Sequence, residues 1–316
     1  MCDALTPSVF QTPYCDLTAG ASPAPVKSVR DLAGLPVGVL DSGLGGLSVL
    51  KSLTRALPQT PFIYCADSGN APWGDKSEAF IVERCRAICG FLIEKGARAI
   101  VLACNTATAA AADRLRNELA LPVIGIEPAV KPAAAQSRRH VIGVLATTRT
   151  IESARYKRLV ARFAPHTTVV SVAAPGLMEC VEAAAFESPE TESLVRHYLA
   201  PMQEAGIDKL VLGCTHYPFL MPLFARILGP EVELIEPGPA VAAVTRARLM
   251  SLLENDQGSE EKLAAGVATG KDAGTGAEET EAGSPSCTFF VKGSRTHAAA
   301  LRRLWPQAEA IAELPV

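Results

Sequence analysis

Two stretches of the chain share one pattern, and this pattern constrains the fold more than any other feature. In each stretch a short apolar run, typical of a buried strand, ends in a small residue and a cysteine, and hydroxyl or amide side chains follow. The two cysteines, Cys104 and Cys214, lie 110 residues apart. Open α/β sheets bind ligands beyond the carboxyl ends of their parallel strands, so we expect both cysteines at a ligand site.

The strands around each cysteine recur as well. Four apolar runs between residues 37 and 126 return in the same order between residues 140 and 235, at offsets of roughly 105 to 110 residues. Stretches with helical periodicity separate them, which is typical of parallel strands joined by helices. We therefore predict an α/β fold of two similar domains, each a mainly parallel sheet flanked by helices, with the active site in the cleft between them.

The domain boundaries follow from this repeat and from the length of 316 residues, which suits about two domains of roughly 150 residues. We predict a first domain from residues 36–128 together with 240–316, because the C-terminal tail is expected to pack on the first half. Residues 129–239 form the predicted second domain. Residues 1–35 have little periodicity in their apolar residues and are interpreted as an N-terminal extension, with a composition compatible with disorder. Residues 254–286 are interpreted as a low-complexity, solvated insertion.

Composition excludes several classes of function. The net charge of -3 provides no electrostatic footprint for nucleic acid or an anionic membrane surface. No apolar run approaches the roughly 18 residues of a spanning helix, and no basic segment followed by an apolar run marks a secretory signal. Nine scattered cysteines without a CxxC pair favour a reducing, cytoplasmic setting. Cys85 and Cys89 lie four apart on a predicted helix, where packing is favoured over a metal site.

Two thiols that face one ligand from opposite sides can invert a stereocentre. One thiolate removes a proton from one face of a carbon, and the other thiol delivers a proton to the opposite face. A free thiol has a pKa near about 8.5, so each needs an assisting group. Asp41 could assist Cys104, and His216 could assist Cys214 or simply cap a turn. A lone cysteine at a strand end is more often a packing residue, and it is the matched pair that favours chemistry.

The glycine-rich loop that begins at Asp41 follows the first predicted strand. Its free backbone N–H groups could hold an anion, although glycines in such a turn are more often structural. The loop lacks the lysine of a Walker motif and the GxGxxG pattern, which disfavours a nucleotide site and a dinucleotide-dependent dehydrogenase. Asn105, Thr106 and Thr215 could contact a ligand or act as helix caps, and Asp67 is interpreted as a turn former.

Three motifs in order resemble those of the glutamate racemase family: Asp41-Ser42-Gly43-Leu44-Gly45-Gly46, Cys104-Asn105-Thr106 and Gly213-Cys214-Thr215-His216. The resemblance runs from about residue 37 to residue 236. It implies two α/β domains with the active site between them, a homodimer, no cofactor and no metal. It also implies interconversion of L-glutamate and D-glutamate, which supplies D-glutamate for peptidoglycan synthesis.

The resemblance also implies roles for individual residues. Cys104 would deprotonate D-glutamate and Cys214 would deprotonate L-glutamate, assisted by Asp41 and His216 respectively. Glu182 matches an acidic residue near the family's site, although the sequence alone places it on a helix surface. The implied substrate contacts are Asp41, Ser42, Pro72, Trp73, Gly74, Asn105, Thr106, Thr147, Thr150, Thr215 and His216.

The chain departs from the family pattern in two turns. Trp73 stands where a tyrosine is common, and Ala146 replaces a usual glycine. Neither change removes a proton carrier, so the implied reaction stands. Two alternatives stay open: an aspartate racemase or a related two-cysteine racemase, and a protein that binds an acidic amino acid without turning it over.

Overall fold

The computed structural model describes residues 36–264 and 286–316, with side chains described up to residue 252 and from residue 286 onward. The predicted extension, residues 1–35, lies outside the described residues, as does most of the predicted insertion. The described chain forms two sheets with helices on their faces. In each sheet every strand pairs in parallel with its neighbours.

The strands, numbered in chain order, divide between the sheets as the repeat predicts. The strands are β1 (Val37–Asp41), β2 (Phe62–Ala66), β3 (Ala99–Leu102), β4 (Val123–Gly125), β5 (Val141–Ala146), β6 (Thr168–Ala173), β7 (Lys209–Gly213), β8 (Glu233–Ile235), β9 (Cys287–Val291) and β10 (Ile311–Glu313). The first sheet has the order β10-β9-β2-β1-β3-β4 and the second the order β6-β5-β7-β8. The order β2-β1-β3-β4 matches β6-β5-β7-β8 strand for strand, so the predicted pair of similar sheets is confirmed.

Helices connect the strands and cover the sheets. They are α1 (Leu47–Ala56), α2 (Glu78–Glu94), α3 (Asn105–Glu118), α4 (Val130–Gln136), α5 (Thr148–Glu152), α6 (Ala154–Phe163), α7 (Leu177–Glu182), α8 (Pro189–Glu204), α9 (Met221–Leu228), α10 (Gly238–Ala264) and α11 (Arg295–Leu304). Helix α10 extends into the predicted insertion, since residues 254–264 continue it where a solvated, low-complexity segment was expected. No helix in the described part of the chain is long and apolar enough to cross a membrane.

The first sheet is buried on both faces, which explains why its strands read as continuous apolar runs. Residues of α1 and α10 pack on one face in one apolar cluster, and residues of α2 and α3 pack on the other. The second sheet is thinner, and its edge strands β6 and β8 are partly exposed. Parallel strands of this kind bring all their carboxyl ends to one edge, which is where the predicted site residues lie.

The C-terminal tail packs on the first sheet, as expected. Strand β9 pairs with β2 through the register Tyr64 to Phe289, and β10 extends the sheet beyond β9. Strand β10 was not predicted, because three residues with little apolar character carry almost no periodic signal. The ring of Phe289 lies 6.1 Å from that of Tyr64 and 6.0 Å from that of Trp305.

The substitution Phe289→Ala tests whether the tail is an integral part of the first domain. Phe289 is fully buried among aromatic rings, so its removal should lower the free energy of unfolding by about 3–5 kcal/mol. Val244→Ala, on the exposed face of α10, is the control and should change it by no more than about 0.5 kcal/mol. Urea unfolding followed by fluorescence measures both, and equal midpoints for the two variants would contradict the assignment.

Candidate active site

The two cysteines occupy equivalent places in the two sheets. Cys104 follows β3 by two residues and caps the N-terminus of α3, while Cys214 directly follows β7. Both side chains are buried. The two thiols are near enough that negative charge on Cys214 contributes to the raised pKa of Cys104. The structure thus brings together the residues that the repeat paired.

The hydrogen-bond partners of Cys104 come from the first domain. Its Sγ lies 3.4 Å from Ser42 Oγ and accepts a hydrogen bond of 3.4 Å from the backbone N–H of Ala107. Burial, together with the negative charge of Asp41, raises the pKa of the Cys104 thiol to about 12, and the two hydrogen bonds oppose that rise. At neutral pH the free protein therefore holds Cys104 as a thiol.

Asp41, at the end of β1, is buried beside this thiol. Its Oδ2 accepts a hydrogen bond of 2.6 Å from the backbone N–H of Gly46, whereas Oδ1 has no hydrogen-bond partner among the described residues. Burial raises the pKa of Asp41 to about 6, against a lowering by His216. Ser42, rather than Asp41, makes the hydrogen bond to Cys104, so the carboxylate acts on the thiol through its charge.

Cys214 has a different set of partners, built around His216. Its Sγ lies 3.7 Å from His216 Nδ1, and His216 Nε2 lies 2.7 Å from Glu182 Oε1. Burial lowers the pKa of His216, but Cys214 and Glu182 outweigh it and raise that pKa well above the usual value. Burial likewise raises the pKa of Glu182, and His216 more than offsets it, so the pKa is lowered. The pair is therefore an imidazolium and a carboxylate beside the second thiol.

The resemblance implied a place for Glu182 near the site, whereas the sequence alone places it on the surface of a short helix. In the structure it ends α7 and points into the cleft, where Leu44 donates a backbone hydrogen bond of 2.6 Å to its Oε1. Only tertiary packing turns this end of α7 towards the other domain. No local pattern distinguishes Glu182 from the neighbouring carboxylate Glu179.

Hydroxyl and amide groups line the cleft between the thiols. Thr106 Oγ1 lies 3.2 Å from Thr147 Oγ1 across the two domains, and Thr147 Oγ1 lies 2.9 Å from Thr150 Oγ1. Asn105 is buried, and neither its Oδ1 nor its Nδ2 has a partner among the described residues. Since Cys104 provides the cap of α3, the amide of Asn105 is available to a ligand.

The loop after β2 holds the remaining predicted contacts. Gly74 O accepts a hydrogen bond of 3.3 Å from Arg149 Nε of the second domain, a contact that the sequence did not indicate. Pro72 precedes a short 3₁₀ turn, Trp73–Asp75. Trp73 is buried in the same apolar cluster as Cys104, and its indole N–H has no partner among the described groups.

The other candidates have structural roles. Asp67, the predicted turn former, accepts a backbone hydrogen bond from Asn70 and forms a two-point ion pair with Arg84. Burial raises the pKa of Cys89 to about 12, and Cys85 is buried beside it on α2, as packing residues would be. Within residues 36–264 and 286–316, no three His, Cys, Asp or Glu side chains group as a metal site requires.

Two substitutions beside Cys104 should change its reactivity in opposite directions. Asp41→Asn removes a negative charge, so the thiolate becomes easier to form and alkylation by iodoacetamide should be about threefold faster or more at fixed pH. Ser42→Ala removes a hydrogen bond and should slow the reaction. Peptide mass spectrometry measures both rates. Cys287, at the opposite end of the sheet, is the internal reference, and equal rates at Cys104 in both variants would contradict the electrostatic account.

Comparison with known proteins agrees with this geometry. The model of the Asp/Glu/Hydantoin racemase family matches residues 37–245. A glutamate racemase of Ectopseudomonas mendocina is 52% identical over 208 residues, which cover 66% of this chain and 79% of that protein. One from Pseudomonas aeruginosa is 51% identical over 207 residues, covering 65% of this chain and 78% of that protein.

Solved structures give the same result. The glutamate racemase isoform RacE1 of Bacillus anthracis has a TM-score of 0.74 at 28% identity, with 89% of this chain and 98% of that chain covered. The Escherichia coli glutamate racemase, solved with L-glutamate and the activator UDP-MurNAc-ala, has a TM-score of 0.72 at 30% identity, covering 89% and 98%. The chain therefore belongs to the Asp/Glu/hydantoin racemase family and is, like the relatives it matches, an amino-acid racemase.

Proposed function

We propose that the protein interconverts L-glutamate and D-glutamate by proton transfer between two cysteines, without a cofactor. The observation that carries this proposal is the pair of buried thiols at equivalent strand ends, each with its own polar partners. The relatives at about 50% identity are glutamate racemases, which supports glutamate as the substrate. The structure of the Escherichia coli relative with L-glutamate adds to that support.

In the direction from L-glutamate, the Cys214 thiolate removes the α-proton and becomes a thiol. The electron pair of the broken C–H bond stays on the α-carbon until the Cys104 thiol delivers its proton to the opposite face. The product is D-glutamate, and Cys104 is left as the thiolate. In the reverse direction the two cysteines exchange roles, so no group is consumed and no oxidant or reductant is needed.

The surroundings of the two thiols differ. Cys104 is held as a thiol because burial and Asp41 raise its pKa to about 12. The Nδ1 of His216 lies 3.7 Å from Cys214 Sγ, and the pKa of His216 is raised well above its usual value. Cys104 is therefore suited to act as the acid in the direction from L-glutamate, and the histidine beside Cys214 suits that residue to the role of base.

The groups between the thiols suit an acidic amino acid. Two carboxylates need several donors, and the cleft offers five hydroxyls and an amide whose hydrogen bonds are open or exchangeable. An α-ammonium suits the unpaired Oδ1 of Asp41, and its positive charge would offset the charge that opposes a Cys104 thiolate. The donors are Ser42, Asn105, Thr106, Thr147, Thr150 and Thr215.

The wider assignment rests on the same relatives. We propose that the product D-glutamate serves peptidoglycan and cell-wall synthesis, that the protein acts in the cytoplasm, and that it works as a homodimer. The scattered cysteines support a reducing compartment. We further propose that residues 36–128 with 240–316, and residues 129–239, are the two domains. The pairing of β9 with β2 supports the return of the tail to the first domain.

The decisive test of this function is exchange of the α-proton in D2O. Purified protein is incubated with D-glutamate and no added cofactor, and optical rotation and α-deuteration are followed together. Loss of rotation with deuterium incorporation is the expected result, and D-aspartate in place of D-glutamate should give little of either. A folded protein with free thiols that exchanges neither amino acid would overturn the proposal in favour of a binding protein.

Replacing either proton carrier should abolish turnover. Cys104→Ser and Cys214→Ser each put a poor acid and base in place of a thiol, and racemisation should fall by at least about 100-fold while the fold persists. Cys287→Ser is the matched control, because this half-buried cysteine lies outside the cleft. Polarimetry with circular dichroism on the same samples separates activity from folding. Full turnover by either site variant would exclude two-thiol chemistry.

The pH profile should show the titration of Asp41. Its pKa is raised to about 6 by burial, so the carboxylate is charged above that pH and neutral below it. A neutral Asp41 cannot pair with the α-ammonium of the substrate, so kcat/KM should fall as the pH drops through about 6. The profiles for the two enantiomers should overlay at every pH, because enantiomers have equal free energies in water. A flat profile from about pH 5 to 8 would contradict this role.

A further inference from the structure

The glycine-rich loop between β1 and α1, residues 43–46, contacts two side chains of the other domain that lie beside Cys214. The backbone nitrogen of Gly45 lies 3.1 Å from His216 Nε2. The backbone N–H of Leu44 donates to Glu182 Oε1 at 2.6 Å. Two consecutive amides of the first domain are thus directed at the two groups that serve Cys214 in the second domain.

The same approach explains why glycines occupy this loop. A Cβ on Gly45 would lie 2.3 Å from His216 Nδ1, and a Cβ on Gly43 would lie 2.2 Å from Glu182 Oε1. Both distances are below any that real side chains tolerate. Neither glycine has a positive φ, so the backbone conformation alone does not require them. The space that they leave is filled by the second domain.

A third contact joins the loop region to the strand end that bears Cys214. Ser48 Oγ, in the first turn of α1, donates to the backbone carbonyl of Thr215 at 2.8 Å. Thr215 stands between Cys214 and His216 in the chain, so this bond holds the segment that carries both. Cys104, by contrast, takes its hydrogen bonds from Ser42 and Ala107 of its own domain.

We propose that residues 43–45 of this loop are a positioning element for one half of the reaction, the proton transfer at Cys214. His216 and Glu182 reach their working geometry only when the two domains close on this loop. The proton transfer at Cys104 has no such requirement, because its partners are already in place within the first domain. This inference rests on the proposed two-thiol racemisation and adds to it the cause of an asymmetry between the two thiols.

The asymmetry can be measured with α-deuterated substrates. Deuterium on L-glutamate reports the step at Cys214, and deuterium on D-glutamate reports the step at Cys104. A change that slows only the Cys214 step makes that step more rate-limiting. The isotope effect on kcat/KM then rises for L-glutamate and falls towards unity for D-glutamate. The kcat/KM values themselves must fall equally in both directions, since the equilibrium constant between enantiomers is unity.

Gly45→Ala and Gly43→Ala are the direct tests. Each added methyl displaces His216 or Glu182, and a displacement on the order of 1 Å should lower kcat/KM by about 100-fold. Both variants should raise the isotope effect with L-glutamate and lower it with D-glutamate. Equal changes in the two isotope effects, or kcat/KM within about twofold of the parent, would overturn the proposal.

Gly46→Ala is the matched control within the same loop. A Cβ at this position would meet Asp41, Tyr64 and Ala103, all of the first domain and on the side of Cys104. Its isotope effects should therefore shift in the opposite sense, upward with D-glutamate. General loosening of the loop would move all three glycine variants in the same sense, which would contradict the assignment of two glycines to the Cys214 half.

Ser48→Ala removes an interdomain hydrogen bond without adding an atom. It therefore tests the proposal even if the glycine variants fail to fold. It should lower kcat/KM by about threefold to tenfold and shift the isotope effects in the same sense as Gly45→Ala. Thr54→Ala is its control on the same helix, because the Thr54 hydroxyl donates to the backbone carbonyl of Lys51 within α1. This variant should leave kcat/KM and the isotope effects unchanged. If the unmodified protein does not racemise glutamate, the proposed function fails. If the unmodified protein racemises glutamate but Ser48→Ala has the same kcat/KM and isotope effects as Thr54→Ala, only the proposed role of the loop is wrong.

Discussion

A thiol that is removed from water must still be able to hold a negative charge, and the site is built around this requirement at two places. Burial alone disfavours the thiolate, as the raised pKa of Cys104 records. Each cysteine has its own polar partners. Ser42 and a helix N-terminal amide are the hydrogen-bond partners of Cys104, while an imidazolium lies beside Cys214. The two cysteines thus have different partners, although the strands that precede them occupy equivalent positions in the two sheets.

The parallel sheets make this arrangement available. Parallel strands end at a common edge, and two sheets with the same strand order present two such edges. Cys104 and Cys214 follow equivalent strands, β3 and β7, which lie inside their sheets and not at an edge. Neighbouring strands on both sides hold the strand ends in place, and this matters because proton transfer requires the donor and acceptor within hydrogen-bond reach.

Charge in the cleft is balanced by a few groups. Asp41 and Glu182 are buried carboxylates, and His216 lowers the pKa of both. Backbone amides of Leu44 and Gly46 provide further compensation, one to each carboxylate. Amides cost no side-chain entropy and carry no net charge, so they can stabilise a carboxylate without neutralising it. The glycine-rich loop thus serves both halves of the site from one short segment.

Much of the architecture and the identity of the reacting groups could be predicted from the sequence. The repeat of four apolar runs determined the two sheets, because buried strands need continuous apolar residues whatever surrounds them. The two cysteines, Asp41 and His216 were predicted as well, since each lies at a strand end or within three residues of one. Strand β10 and the continuation of α10 through residues 254–264 could not be predicted, because neither has a clear periodic pattern.

What the tertiary structure decided is how the parts of the site meet. Glu182 lies 34 residues from His216 in the chain, and Gly45 lies 171 residues from it, so no local pattern could indicate either contact. The reason that Gly43 and Gly45 must be glycine is equally nonlocal, since the space is taken by side chains of the other domain. The sequence by itself determined which groups stand at the strand ends, because strand pattern and position are local properties. Only the packing of one domain on the other decided which of these groups act together.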